Sequence, residues 1–394
     1  MTSPSDDAAA HLAAVAEQAG LRRIHILAWR DLDDPEAGGS ELHAAAIASR
    51  WAAAGIHVAM RSSRAAGHPT FADRDGYRVV RKAGRYVVFP RTALSGALGR
   101  DGRPDGLVEI WNGMPFFSPV WARCPRIVFL HHVHAEMWRM VLKPPVLGRL
   151  GERVEYRVAP RFYGRARIVT LSESSKGEII DLLGLPEANI SVVPPGVDPH
   201  FAPGGTRSPH PLVVAVGRLV PVKRFDQLIG ALVVLRRHHP DLEAVIAGEG
   251  YDRPLLEQQL RAAGADSWIR LPGRVTDDEL IDLYRRAWVL ASTSVREGWG
   301  MTVTEAAACG TPAVASDIAG HRDAIVAGKS GFLAASTEEL IDRLDSVLSD
   351  SDLRAKLAAG ALEHAARFTW DGTARAALQL LADEATQRRV RHRR

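Results

Sequence analysis

Leu212-Val213-Val214-Ala215-Val216-Gly217, continuing into Arg218-Leu219-Val220-Pro221-Val222-Lys223-Arg224, is the stretch on which the fold turns. Short, apolar and rich in β-branched residues, its first part reads as a buried strand that Gly217 ends. The loop beyond places two cations, Arg218 and Lys223, at the carboxyl end of that strand. A helix is expected from Phe225 to about His238. Strand, ligand-bearing loop and helix together make the repeating unit of a doubly wound α/β domain, where ligands sit at the carboxyl ends of strands.

The pattern extends in both directions. Downstream, strands are expected from Leu242 to Ala247, around Ile269, from Trp288 to Ala291 and from Pro312 to Ala315, with helices from about Thr337 to Gln387. Upstream, Ile24 to Trp29 and Ile56 to Met60 read as strands. The helix between them has Ser40 as its cap and stops at Gly55. Gly106 to Trp111, Arg126 to Leu130 and Ile168 to Leu171 are further strands, and residues 1–20 form an Ala-rich helix or arm. Strands alternating with helices predict parallel sheets covered on both faces. Pro194-Pro195-Gly196-Val197-Asp198 interrupts the pattern and opens a Pro- and Gly-rich connection to Pro211. The reading is therefore α/β: one Rossmann-like domain over 1–195, another over 196–370, and a C-terminal helix over 371–394 that crosses back to the first.

At 394 residues the chain exceeds the size at which one core stops growing, which agrees with two domains. Cys124 and Cys309 are the only cysteines, too few and too far apart for a disulfide framework, and they fit a reducing compartment. The polar start Met1-Thr2-Ser3-Pro4-Ser5-Asp6-Asp7 has no apolar core of a signal peptide, and no apolar run is long enough to span a bilayer. A cytoplasmic location is expected. The net charge is only +4 but unevenly placed: nine Arg or Lys against two Asp from Arg61 to Arg100, and eight against two Glu from Arg139 to Arg167. Solvated faces explain this, and so does attraction to an anionic partner. Without a nucleic-acid motif, a phospholipid surface at the inner face of the membrane or a phosphorylated acceptor is the better candidate partner.

The segment richest in chemistry is Val295-Arg296-Glu297-Gly298-Trp299-Gly300-Met301-Thr302-Val303-Thr304-Glu305-Ala306. Its glycines admit a ligand close to the backbone, and free N–H groups at the helix start favour a phosphate or a sugar hydroxyl. Glu305 on that helix offers two acceptors suited to a ribose. Arg218 with Lys223 pairs a planar fork with a point charge, a combination that suits a diphosphate and can substitute for a metal in stabilising a leaving group.

Arg218, Lys223, Glu297 and Glu305 together resemble the donor-site pattern of glycosyltransferase family 4, retaining enzymes of GT-B architecture with two Rossmann-like domains facing across a cleft. The similarity is strongest from about Val192 to Leu333. Asp323 stands where Glu is commoner, Trp299 where Phe is commoner, and Arg224 where Gly is commoner. The resemblance implies that Glu305 holds the ribose and that Arg218 and Lys223 hold the diphosphate. Backbone amides of Gly298, Trp299, Gly300, Met301 and Thr302 would contact phosphate and sugar, Glu297 the sugar hydroxyls, and Arg274 and Val275 the base. It implies a nucleotide diphosphate sugar as co-substrate and no metal or other cofactor. The acceptor would be a glycan or lipid-linked molecule.

In the N-terminal half, Glu36-Ala37-Gly38-Gly39-Ser40-Glu41 follows the first strand and opens a helix, a backbone cradle for phosphate through Gly38 and Gly39, and is similar to a turn found in that family. Phe129-Leu130-His131-His132-Val133-His134-Ala135-Glu136 admits a metal site, plain packing, or a reaction-centre role. The resemblance points to the third: His131 at the reaction centre beside the sugar, with His132, His134, Glu136 and Glu41 toward the acceptor. Glu109 to Phe117 resembles a subset of the family that carries such a histidine cluster. Asp31-Leu32-Asp33 mimics a metal-binding acidic pair but is read as loop charge. Gly328-Lys329-Ser330 mimics a P-loop end but lacks the earlier glycine, since that position is Asp323. The same residues also admit a GT-B epimerase or phosphorylase, or a non-catalytic nucleotide-sugar-binding protein.

Overall fold

The computed structural model describes residues 4–100, 102–135, 137–141 and 145–393. The chain divides into two compact units, Met1–Gly196 with Thr369–Arg394, and Val197–Phe368. The division falls close to the sequence-based boundaries but differs in detail. The Pro- and Gly-rich connection after Gly196 makes its contacts within the second unit, and Thr369 and Trp370 belong with the C-terminal helix in the first.

The first unit is built on an eight-stranded sheet: β1 (Arg23–Leu27), β2 (His57–Ser63), β3 (Phe71–Arg74), β4 (Tyr77–Ala83), β5 (Gly106–Trp111), β6 (Arg126–Leu130), β7 (Arg167–Thr170) and β8 (Ile190–Val192). Their order is β3-β4-β2-β1-β5-β6-β7-β8, parallel throughout except for the β3–β4 hairpin at one edge. That hairpin escapes the sequence reading because Arg and Asp fill its exposed edge strand.

The second unit carries a six-stranded parallel sheet. Its strands are β9 (Leu212–Val216), β10 (Glu243–Ala247), β11 (Ile269–Gly273), β12 (Val289–Ser292), β13 (Ala313–Ser316) and β14 (Gly331–Ala334), in the order β11-β10-β9-β12-β13-β14.

Local signals set the helix boundaries. Thr276 accepts from the backbone N–H of Glu279 while Glu279 accepts from that of Thr276, which starts the helix Asp277–Arg286. Ser172 starts the helix Glu173–Leu183, and Gly184, in the left-handed region, ends it. The helix Gly39–Ala53 begins two positions earlier than Ser40 as its cap would have it, because Gly38 is the cap residue and Ser40 lies in the first turn.

In the first unit, the helices Asp6–Ala19, Gly39–Ala53 and Trp370–Arg393 bury one face of the sheet. Leu12, Ile24, Ile26, Trp51, Leu378 and Leu381 are each at most 1% exposed there. Trp51 Nε1 donates to the carbonyl of Ala374 at 3.0 Å, and Arg50 pairs with Asp371 at 2.8 Å. These contacts fasten the C-terminal helix to this unit. Among the described residues no helix is long and apolar enough to cross a membrane.

The strand orders place the ligand-bearing loops. In the second sheet the chain runs outward from β9 to β11 on one side, then resumes at β12 on the other, so the order reverses between β9 and β12. In the first sheet the reversal lies between β1 and β5. Loops that leave such switch points diverge and open a crevice at the carboxyl ends of the strands.

Candidate functional site

In the second unit the two loops flanking the switch point are those the sequence singles out, Gly217–Arg224 after β9 and Thr293–Gly300 after β12. Several bonds lock them together. Thr293 Oγ1 donates to the carbonyls of Lys223 and Arg224 at 2.8 and 3.0 Å, and the N–H of Val295 donates to the carbonyl of Val222 at 2.9 Å. Arg218 leaves the end of β9 half-buried. The aliphatic stem of Lys223 folds back over Gly217, where a Cβ would meet Lys223 Cε at 3.3 Å.

Lys223 Nζ forms an ion pair with Glu297 Oε1, and Ser294 Oγ donates to the same oxygen at 2.8 Å. Burial pushes the Glu297 carboxyl up, but the charges of Lys223 and His321 and the bonds from Lys223 and Ser294 outweigh it and hold the group at about 2. Glu297 is therefore an anion at neutral pH, and its second oxygen, which takes no bond among the described residues, can accept from a ligand hydroxyl.

His321, which the sequence reading passed over, is wholly buried beneath this loop. Its Nδ1–H donates to the carbonyl of Ser316 at 2.9 Å, and its Nε2 faces Ser292 Oγ at 3.3 Å. Just before it, Gly320 sits at φ 86°, and a Cβ there would come within 2.7–2.8 Å of the backbone of Glu297, Gly298 and Trp299. Glycine at 320 lets the two loops touch.

The helix Met301–Ala308 begins at Gly300, which takes a left-handed conformation as the cap residue. Gly298 and Gly300 are buried, while Met301 and Thr302 are half-buried. The Trp299 ring turns inward, edge-on to Phe368 at 4.9 Å, so only its backbone is offered to a ligand. Glu305 is 9% exposed and accepts from Tyr284 Oη at 3.1 Å. Burial lifts its carboxyl to about 7, against the pull of the Tyr284 bond. Arg274 and Val275 follow β11, two strands from β9; Arg274 is exposed and Val275 half-buried. The fold thus brings Lys223 and Glu297 into contact and sets Arg218 in the same loop cluster. Glu305 lies on the helix leading from it, with Arg274 and Val275 further along the strand ends.

In the first unit, Gly38 and Gly39 open the helix after β1. Glu41 Oε2 accepts from the N–H of Gly38 at 2.8 Å, and its Oε1 accepts from buried Arg30 at 3.1 Å. Glu41, expected toward the acceptor, is therefore engaged in holding the glycine turn. Ser40 Oγ accepts from Asn112 at 3.1 Å, tying that turn to the loop after β5.

His131 follows β6 and is 4% exposed. Burial first, then the neighbouring histidines, push its imidazole well below the ordinary range, so it is neutral. His132 and His134 are half-buried, their rings stacked at 4.9 Å and 14°. The His134 ring rests on Gly113, at φ 80°, where a Cβ would lie 2.9 Å from Nε2. Glu136 lies outside the described residues. Among the described residues no group of three or more His, Cys, Asp or Glu is arranged to hold a metal.

Two buried glutamates organise these loops, and the sequence gives no local sign of either role. Glu155 accepts from the N–H groups of His134 and Ala135 at 2.9 and 3.2 Å and from Trp138 Nε1 at 2.8 Å. Glu109 accepts from the N–H groups of Phe116 and Ser118 at 2.7 and 3.1 Å and from Tyr163 Oη at 2.6 Å. Glu155 lies in a π-helical turn, Val154–Val158, a geometry that often marks functional regions.

Asp31 and Asp33 depart from their reading as loop charge. Asp31 is 1% exposed and takes two bonds from Arg81, at 2.7 and 2.8 Å, and one from Ser62, while Asp33 pairs with Arg81 and Arg74. A buried ion cluster beside β2 and β4 uses them up.

Comparison with known proteins accords with this geometry. A sequence model of Glycosyltransferase Family 4 matches residues 37–201, and one of Glycosyl transferases group 1 matches residues 198–364. A D-inositol 3-phosphate glycosyltransferase of Stackebrandtia nassauensis is 35% identical over 249 residues, 58% of this chain and 56% of that protein. The enzyme of that description from Frankia alni is 34% identical over 237 residues, 55% and 58%. The chain thus spans just over half the length of these curated relatives.

Among solved structures, sucrose-phosphate synthase from Thermosynechococcus elongatus superposes with a TM-score of 0.77 at 17% identity, covering 94% of this chain and 98% of that one. WaaG, a glycosyltransferase involved in lipopolysaccharide biosynthesis, gives 0.73 at 18%, covering 91% and 99%. Anabaena HepE in complex with UDP-glucose gives 0.70 at 19%, covering 93% and 99%. These three show the fold, GT-B.

Proposed function

The chain belongs to glycosyltransferase family 4, and from that premise we propose that it transfers a hexosyl group from a nucleoside diphosphate sugar to an acceptor hydroxyl with retention of anomeric configuration. The observation that carries this reading is the Lys223–Glu297 pair at the switch point between β9 and β12. A cation suited to the diphosphate and a permanent carboxylate suited to sugar hydroxyls stand side by side, where an α/β sheet takes its ligand. HepE, solved with UDP-glucose, lends support for a nucleotide-sugar donor.

Arg218 and Lys223 bind the diphosphate and offset the negative charge that grows on it as the glycosidic bond breaks. Backbone N–H groups at the start of the helix Met301–Ala308 add hydrogen bonds to the distal phosphate. Glu305 accepts from the ribose and Glu297 from the transferring sugar. No side chain is needed as a covalent nucleophile: the acceptor hydroxyl attacks on the face that the diphosphate leaves and gives its proton to a departing phosphate oxygen. Two fixed cations at the leaving group make a metal ion unnecessary. His131, neutral and buried, orients a sugar hydroxyl.

The acceptor is lipid-linked or a cell-envelope glycan precursor, taken up at the cytoplasmic face of a membrane. The helix Pro145–Arg153 supports this part of the reading, because Leu147 and Leu150 are about half exposed on it beside Arg149 and Arg153. Apolar side chains among arginines suit an anionic lipid surface. A second acceptor class, a phosphorylated polyol, is favoured by the name of the curated relatives.

The deciding experiment is NMR of the product formed with a competent donor sugar, after a thermal-shift screen of UDP, GDP and ADP has found the base. An axial donor bond kept in the product supports the reading, and an inverted product overturns it. Activity is expected to persist in EDTA; a strict requirement for Mn²⁺ or Mg²⁺ removes the metal-free mechanism. Failure to sediment with anionic vesicles at low salt removes the membrane contact.

A further inference from the structure

His43 belongs to no motif, yet it is the residue on which His131 rests. It lies on the helix Gly39–Ala53 and is 1% exposed. Its Nδ1 is 3.3 Å from His131 Nε2, and the two rings meet edge-on at 4.9 Å and 86°. Phe129 packs against it at 4.8 Å and Trp370 at 5.9 Å. Its Nε2 is buried and has no hydrogen-bond partner among the described residues.

Burial keeps both rings neutral, His43 down to about 3 and His131 well below its ordinary value. Each ring therefore carries one proton, and one of the two protons occupies the contact between them. If His131 supplies it from Nε2, the proton of His43 must sit on its own Nε2, a buried N–H with no acceptor. If His43 supplies it from Nδ1, only a lone pair is left without a partner. An orphaned donor is the rarer and costlier defect in protein interiors.

We infer that His43 is a positioning residue that fixes His131 as its Nδ1–H form, so that the nitrogen His131 has left for substrate is a hydrogen-bond donor. This rests on the reading of His131 as a reaction-centre group in glycosyl transfer. A donor there suits a sugar hydroxyl oxygen or a phosphate oxygen, and a bare nitrogen would suit neither a phosphate nor an oxygen already giving its proton elsewhere.

The test is long-range ¹H–¹⁵N spectroscopy of the full chain labelled on histidine nitrogen, at neutral pH and without substrate, with His131→Phe and His43→Phe supplying the assignments. The expected wild-type spectrum has a protonated Nδ1 and a bare Nε2 on His131. His43→Phe keeps an aromatic ring in the same packing. It is expected to release His131 toward the Nε2–H form and to lower kcat about 10-fold or more, with the KM for the sugar donor changed less than about twofold.

A wild-type His131 protonated on Nε2 overturns the inference, and this readout does not depend on any variant's folding. Unchanged His131 signals together with an unchanged kcat in His43→Phe also overturn it. If the wild-type tautomer is as stated and His131→Phe retains full turnover, the pair stands and the catalytic reading of His131 is what fails.

Discussion

The phenolic O–H of Tyr284 donates to Glu305 Oε2 across 3.1 Å, and both groups are buried. The tyrosine sits on the helix Asp277–Arg286 and the glutamate on Met301–Ala308, so a packing contact between helices tempers the effect of burial on the residue assigned to the ribose.

Burial of Glu305, which that contact only partly offsets, makes nucleotide binding depend on pH near neutrality. Burial lifts Glu305 from 4.5 to about 7, the Tyr284 bond opposes the rise, and Asp277 and Asp198 add to it. Only the carboxylate can accept from both ribose hydroxyls, so nucleoside diphosphate affinity should rise between pH 6 and 8. Tyr284→Phe removes the opposing bond, and the midpoint should move to higher pH. Isothermal titration across that range checks both. The effect on folding has the other sign. Below the ordinary carboxyl range Glu305 is protonated whether folded or not; above pH 7 the folded protein must bury its charge. This group therefore costs stability progressively from about pH 4.5 to 7, by about 3 kcal/mol, and Glu305→Gln should flatten that part of the stability profile.

Lys223 serves both the leaving diphosphate and Glu297. Lys223→Met should raise the reaction barrier by about 2–4 kcal/mol, seen as a fall in kcat/KM, because it removes a cation from the site of developing charge. It also removes the main charge holding Glu297 near 2, so the pH profile of kcat/KM should gain an acid limb that the wild type lacks in the working range. Lys223→Arg, which keeps the charge but not the shape, should fall between the two.

The loop after β6 depends on Glu155. Three N–H groups share its carboxylate, and truncating it leaves buried donors unpaired. Glu155→Ala should destabilise the first unit by about 2–4 kcal/mol, measured by urea denaturation with Trp fluorescence. With subsaturating denaturant excluded as a cause, the KM for acceptor should rise more than that for the nucleotide sugar, since the second unit is untouched.

Arg81 and Asp31 should behave as a structural pair. Arg81→Met strands a buried carboxylate and is expected to cost about 3–5 kcal/mol, whereas replacing both partners by apolar residues of similar volume should recover much of the loss. Neither change should alter the response to divalent cations. A metal-dependent change in activity that disappears in Asp31→Asn would instead make the pair a metal site.

The repeating strand–loop–helix units, the two-unit division and the loops that carry Arg218, Lys223, Glu297 and Glu305 are legible in the amino-acid sequence. Each rests on information within a few residues: runs of apolar residues, glycines where strands end, cap residues where helices begin. Charged edge strands such as β3 lack that signature and were not legible. The state of each group follows from the three-dimensional packing alone. His43 meets His131 from a helix far away in sequence, Tyr284 reaches Glu305 from a neighbouring helix, and His321 lies beneath the Glu297 loop because β12 and β13 are adjacent in the sheet. Asp31 pairs with Arg81 because β4 lies beside β2, next to β1. Strand order and burial decide which charges meet and which protons stay, and neither is a local property of the chain.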